Sequence, residues 1–214
     1  MHILSVNSQK GGVGKTTLAL NLAVAAVYDG LPTAVLDMDP QTTAANWSDR
    51  REAEAPTVIS AQPGRLTALL EKAEADGFGL VIIDTPPNVG AEAIDFARKA
   101  DFVIVPVRAA AFDLEAMQAT IRVLSIAETP GAAILNGCKP FGTLVQEARE
   151  LIESDFSFSV APHTIGDRTA FVHASTSGEG VTETEPSSKA ANEINDLWAW
   201  VKKQLQNNQA RKRR

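Results

Sequence analysis

A glycine-rich loop stands between a short apolar run and a longer stretch of helical periodicity near the start of the chain. Residues 3–6 read ILSV, residues 10–17 read KGGVGKTT, and apolar positions recur at helical spacing from Lys15 to Tyr28. At such a junction consecutive backbone N–H groups turn inward and can cradle phosphate oxygens, and the dipole of the following helix adds positive potential at the same point. Glycine is required because the chain approaches the phosphate closely and adopts conformations that a Cβ forbids. In this arrangement Lys15 reaches the β- and γ-phosphates and the Thr16 hydroxyl ligates Mg²⁺. A glycine-rich turn with no ligand is the alternative, and the flanking strand and helix argue against it. One position departs from the common pattern: Gln9 replaces the initial glycine, and an additional lysine, Lys10, directly precedes Gly11.

The rest of the chain repeats the strand and helix alternation that builds βαβ units and a mostly parallel sheet. Strands are expected at Ile3–Val6, Thr33–Leu36, Thr57–Ser60, Leu80–Ile83, Phe102–Val105 and Ala132–Leu135, most of them continuously apolar, as strands covered on both faces must be. Helices are expected at Lys15–Tyr28, Thr42–Arg51, Arg65–Ala75, Ala91–Lys99, Asp113–Glu128, Thr143–Glu153 and Ser187–Gln206. Gly30 reads as the C-cap of the first helix, Asp113 as the N-cap of the fifth, and Pro186-Ser187-Ser188 as the beginning of the last. The fold class is therefore α/β, a sheet flanked by helices on both faces in three layers. No Pro-, Gly- or Ser-rich linker divides residues 1–214, so one domain is expected, with a basic and flexible tail over 207–214. Residues 162–185 are the weakest stretch, mixing polar residues with a short helical phrase, and read as a surface segment that moves.

With 214 residues and 44% apolar side chains, the chain can bury a core without disulfides or structural metal. Its single cysteine, Cys138, cannot form an intrachain disulfide and suits a reducing, cytoplasmic compartment. No apolar run approaches the roughly 18 residues of a membrane span, and the N-terminus lacks the features of a secretion signal. Charge is uneven: the formal net charge is −6, but residues 202–214 hold six basic side chains and no acid, so the tail stands at +6 against −12 for the remainder. That asymmetry suits contact with a polyanion, and equally a solubilising terminus.

Two further acidic motifs end expected strands. Asp37 and Asp39 in DMDPQ lie at the C-terminal edge of a parallel sheet, where ligands gather, and their alternate spacing puts both on one strand face. Asp84 closes the apolar run LVII and delivers one acid to a metal site, through a metal-bound water because Mg²⁺ keeps much of its hydration. Thr85-Pro86-Pro87 would follow as a switch-like loop near the γ-phosphate. Cys138 lacks a nucleophile's surroundings, and His2, His163 and His173 show no metal-ligand spacing. Trp47, Trp198 and Trp200 fit helix surfaces or core edges. In the last helix Ile194, Leu197, Trp198, Val201 and Leu205 recur at the spacing of a docked amphipathic helix.

The segments NSQKGGVGKTT, LDMDPQ, LVIIDTPP and EGVTETEPSSKAANEINDLW, in that order, strongly resemble ParA-type partition ATPases within the ParA/MinD group of P-loop NTPases. The resemblance implies an ATP- and Mg²⁺-dependent ATPase whose nucleotide cradle is Lys10, Gly11, Gly12, Val13, Gly14, Lys15, Thr16 and Thr17. It implies that Lys10 crosses a homodimer interface to the phosphates held by the opposite subunit. It further implies that Asp39 positions the attacking water and, with Thr16 and Asp84, holds the hydrated metal, while Asp37 supports the arrangement. Asn136 matches an adenine-edge contact, although Asn136-Gly137 reads equally well as a turn.

On this resemblance the ATP-bound dimer binds DNA without sequence preference in the cytoplasm at the nucleoid, and a ParB-like centromere-binding partner stimulates an otherwise slow hydrolysis. Arg168, Lys189, Lys202, Lys203 and the terminal RKRR are the candidate DNA contacts, each with a solvated-surface alternative. A MinD-like membrane role is the first alternative, disfavoured because QLQNNQARKRR offers no second apolar face. A cargo-positioning relative or an amidoligase on the same fold is the second. The lack of a helix-turn-helix ahead of the loop makes operator binding unexpected.

Overall fold

Continuous apolar strands need cover on both faces, and the helices between them provide it. A computed structural model describes residues 1–87, 90–139 and 142–212. Among the described residues the strands are β1 (His2–Val6), β2 (Thr33–Asp37), β3 (Thr57–Ser60), β4 (Leu80–Asp84), β5 (Phe102–Val107) and β6 (Gly131–Leu135). They form a six-stranded sheet in the order β3-β2-β4-β1-β5-β6, with every pairing parallel. The helices are α1 (Lys15–Tyr28), α2 (Thr43–Ser48), α3 (Leu66–Ala75), α4 (Ala91–Lys99), α5 (Ala111–Ala127), α6 (Leu144–Ser154), α7 (Thr169–Thr176), α8 (Val181–Thr184) and α9 (Lys189–Lys212).

The strand period of two sorts side chains between two cores. Leu4, Val6, Ile82, Ile104 and Ile134 pack toward α1, α7 and α9, whereas Val103, Val105, Ala133 and Leu135 pack toward α4, α5 and α6. Leu36, Val81 and Ile83 continue that second layer under α3. The arrangement is the expected three-layer α/β sandwich, and α1 is buried along most of its length because it lies under α9 as well as on the sheet.

The structure corrects several boundaries. The second helix ends at Ser48, short of the expected Arg51, and α9 runs from Lys189 to Lys212 in place of Ser187–Gln206. The tail expected to be flexible from residue 207 is thus helical to Lys212, while Arg213 and Arg214 lie outside the described residues. Asp113 does not cap α5: Ala110 occupies that position, and Asp113 is the third residue of the helix. Residues 162–185, expected as a surface segment that moves, form α7 and α8 and dock on the core through Ala170, Ala174 and the fully buried Val181. Asn21 of α1 fixes this docking, its Oδ1 accepting the Val181 N–H at 2.9 Å.

Candidate nucleotide site

Strand register sets the site. Val6 lies opposite Asp84 on β4, and Asp84 lies opposite Asp37 on β2, so three strand ends finish level at the C-terminal edge of the sheet. From Val6 the chain runs through the glycine-rich loop into α1. Gly12 and Gly14 have φ of +72° and +91°, and a Cβ on Gly14 would meet Asn136 Nδ2 at 2.3 Å. Both backbone freedom and a close approach therefore demand glycine at position 14.

Lys15 is buried at the head of α1, its Nζ donating to the Lys10 carbonyl at 3.3 Å. Burial lowers its pKa, against the opposing charges of Asp84 and Asp39. Asp84 is buried with neither carboxylate oxygen hydrogen-bonded. Burial pushes its pKa up to about 7, reinforced by the charges of Asp37 and Asp39, with the Thr16 hydroxyl and the Lys15 ammonium acting in the opposite direction. A buried carboxylate with no hydrogen bond of good geometry is a costly arrangement for the protein alone and suits a nearby cation. Among the described residues no three His, Cys, Asp or Glu side chains group as a metal cage. Mg²⁺ takes few protein ligands and arrives with phosphates and water. Thr16, Asp39 and Asp84 are the residues that would hold it.

Asp37 organises the neighbouring loop. Its Oδ2 accepts the N–H groups of Ala44 and Ala45 at 2.9 and 3.0 Å, and its Oδ1 accepts that of Asp39 at 3.1 Å. It thereby satisfies the open donors at the start of α2 and fixes the backbone at Asp39. Burial still raises the Asp37 pKa, with the Asp39 charge contributing, despite these three bonds. Asp39 is half-buried, and its Oδ1 accepts the Gln41 N–H at 2.9 Å.

Asn136 donates from Nδ2 to the Val13 carbonyl at 2.7 Å, so one side of its amide holds the phosphate loop. With Gly14, Thr17, Gly137, Asp167 and Phe171 it lines a cleft of about 290 Å³ beside the loop. Larger depressions exist, but the one of about 650 Å³ between Leu124 and Phe158 lies away from the loop and its carboxylates.

Two residues reach the site that the sequence did not place there, Arg108 with no signal at all and Asp113 with only that of a helix cap. Arg108, immediately after β5, lines the same cleft and donates through Nη2 to the Gly12 carbonyl. Asp113 places Oδ1 3.1 Å from the Lys10 ammonium. Cys138 is buried, and desolvation pushes its thiol up to about 11, which removes it from nucleophilic chemistry.

The candidate DNA contacts do not gather at one place. Arg168 forms an ion pair with Glu193, and Lys202 pairs with Asp29 at 2.6 Å. Lys189 and Lys203 are exposed. Lys189 sits beside Arg168 at the start of α9, and the other two lie about 20 Å further along that helix at 1.5 Å per residue.

A phosphate cradle at the head of a helix, with carboxylates level on the adjoining strand ends, defines a nucleotide-binding α/β protein. Residues 4–181 match the CobQ/CobB/MinD/ParA nucleotide binding domain. The chain belongs to this ParA/MinD family of nucleotide-binding ATPases. It is 33% identical to the maintenance of carboxysome distribution protein A of Gloeobacter kilaueensis over 71% of each chain. Identity to the chromosome-partitioning ATPase Soj of Thermus thermophilus is 28%, over 56% of this chain and 60% of that one. Among solved structures, the MinD cell division protein of Aquifex aeolicus superposes with a TM-score of 0.77 at 16% identity, covering 94% of this chain and 97% of the other. That likeness concerns the fold.

Proposed function

We propose that this protein is a Mg²⁺-dependent ATPase of a DNA-segregation system, in which ATP joins two copies face to face and the pair binds DNA without sequence preference. The observation that carries the reading is a second lysine, Lys10, on a cradle that Lys15 already completes. A cradle needs one ammonium for the β- and γ-phosphates, and an extra mobile one can neutralise charge on a phosphoryl group held by a second subunit. In this reading the loop amides from Gly11 to Thr17 bind the phosphates, and Asn136 and the adjoining cleft take the base. The metal neutralises phosphate charge when bound. Asp39 orients the attacking water, since a carboxylate with a free edge at the strand end can accept its hydrogen bond. Hydrolysis is slow until a ParB-like partner arrives, and release of the pair from DNA follows.

The likeness to a protein named for carboxysome distribution favours a second reading in which the same switch positions a cargo other than DNA. The two readings differ in what stimulates turnover: a centromere-binding protein on its DNA, or a protein associated with the other cargo. A membrane role gains no support, because the apolar face of α9, including Ile194, Leu197, Val201 and Leu205, is buried on the body of the molecule.

The test is light scattering on the wild type and Lys10→Ala, each saturated with ADP or with AMPPNP. The wild type should double in mass only with AMPPNP and should sediment with DNA only in that state. Lys10→Ala should remain a single subunit throughout. A wild type that stays a single subunit with AMPPNP overturns the reading.

A further inference from the structure

We propose that Asp113 holds Lys10 within its own subunit and that opening this ion pair gates dimerisation. The inference rests on the face-to-face dimer proposed above and concerns its regulation. Lys10 Nζ lies 3.1 Å from Asp113 Oδ1, with the carboxylate 10% and the lysine 37% exposed. Asp113 Oδ1 makes no hydrogen bond of good geometry, so the ammonium is its counter-ion. The carboxylate sits in the first turn of α5, where the helix dipole favours a negative charge. The two partners therefore differ in mobility. Asp113 is fixed by its helix, whereas Lys10 is a long, partly exposed side chain that can swing away.

The pair belongs to a wider grip on the phosphate loop. Thr120 of α5 accepts the Gln9 N–H through Oγ1 at 3.3 Å, and Arg108, just ahead of the helix, donates to the Gly12 carbonyl. The chain from Arg108 to Thr120 thus engages residues 9, 10 and 12 of the loop, and only the Lys10 contact uses a loop side chain that the dimer needs elsewhere. One ammonium cannot serve Asp113 and a phosphate on the opposite subunit together. Phe112, next to Asp113, is 77% exposed, which places the pair beside a surface that an arriving subunit can reach.

The energetic consequence is doubled by symmetry, because each dimer opens two such pairs. A half-exposed pair of this kind corresponds to about a fivefold bias at each site, hence about 25-fold in the dimerisation constant. Asp113→Asn keeps the side-chain shape and removes the charge. In AMPPNP it should dimerise at a protein concentration about 25-fold lower than the wild type, and its unstimulated ATP turnover should rise. The double variant Lys10→Ala/Asp113→Asn should stay a single subunit like Lys10→Ala, and a double variant that dimerises in AMPPNP would show that Asp113→Asn acts without Lys10 and overturns the gate.

A second readout needs no dimer. In the nucleotide-free protein, acetylation of Lys10 by an N-hydroxysuccinimide ester, followed by mass spectrometry, should be several-fold slower than that of exposed Lys203. It should accelerate about fivefold in Asp113→Asn while Lys203 is unchanged. Should Asp113→Asn misfold, Asp113→Ser and the wild-type ratio of Lys10 to Lys203 labelling carry the test. Equal labelling of the two lysines in the wild type overturns the proposal. So does an Asp113→Asn that dimerises no more readily than a dimerising wild type, a result that leaves the dimer itself standing. A wild type that remains monomeric in AMPPNP removes the dimer reading and the gate with it, whatever the labelling shows.

Discussion

Asp84 concentrates the conflict between stability and function at a single residue. Its carboxylate is buried without a hydrogen bond of good geometry, and burial pushes its pKa up to about 7 against an ordinary 3.8. The folded protein therefore retains a proton that the unfolded chain gives up as pH rises from 3.8. The stability held by that proton is full below 3.8 and is lost as pH climbs through about 7. Asp84→Asn removes the titration, so the nucleotide-free variant should melt higher than the wild type, with a larger difference at pH 8 than at pH 5. On the proposed function the same substitution removes an acid that would hold the metal, and Mg²⁺ with AMPPNP should then no longer raise the melting temperature. Thermal unfolding at both pH values, with and without Mg²⁺ and AMPPNP, measures both effects. A variant that is less stable at pH 8 would show that Thr16 and Lys15 outweigh the cost of burying the Asp84 charge. Lys15, Thr16, Asp39 and Asp84 were legible in the sequence because loop spacing and strand-end position bear on them directly. Arg108 was not, because its contact with Gly12 spans 96 positions and nothing around a lone arginine after a strand signals it.

At the scale of elements, the strands were readable because a parallel sheet covered on both sides leaves a continuous apolar run, as in Leu80–Ile83. The second helix was overextended because helical pattern says nothing of what happens to its last residues. Arg51, expected inside that helix, turns away to join α8. Its guanidinium pairs with both carboxylate oxygens of Glu183 at 2.7 and 2.8 Å and donates to the Gly178 and Ala55 carbonyls. The side chain is only 4% exposed and lies over the Trp47 ring. Helices α7 and α8 leave only a short helical phrase in the sequence because small side chains anchor them: Ala170 and Ala174 vanish into the core without a long apolar stripe. The Arg51 clamp is what such weakly apolar helices require. Arg51→Ala leaves the largely buried Glu183 carboxylate with only the Gly180 N–H and should cost about 3 kcal/mol in urea unfolding. Arg51→Lys should recover little of it, because an ammonium cannot reproduce the planar fork. Full recovery by lysine would mean that charge, and not geometry, joins α2 to α8.

Across the whole molecule the acidic body and the basic end of α9 set how a polyanion can be approached. Residues 1–201 carry −12, so the DNA binding proposed above has to rely on cations that are both local and unspent. The structure separates the candidates on that criterion. Arg168 and Lys202 are each engaged by a carboxylate of the same chain, Glu193 and Asp29, whereas Lys189 and Lys203 are exposed. An ammonium already paired must give up its carboxylate to take a phosphate, and the abandoned acid then repels the same DNA. Replacing Lys203, or the cluster Arg211, Lys212, Arg213 and Arg214, by glutamine should therefore weaken DNA binding of the AMPPNP-bound protein more than Lys202→Gln does. The slope of log affinity against log salt should shrink by about 0.9 for every cation that leaves a phosphate. Co-sedimentation with duplex DNA over a salt series reads both quantities, and anionic vesicles serve as the control that the buried face of α9 should fail to bind. A larger loss in Lys202→Gln or Arg168→Gln would place the DNA where those ion pairs now close, and would require Asp29 or Glu193 to turn away when the dimer forms.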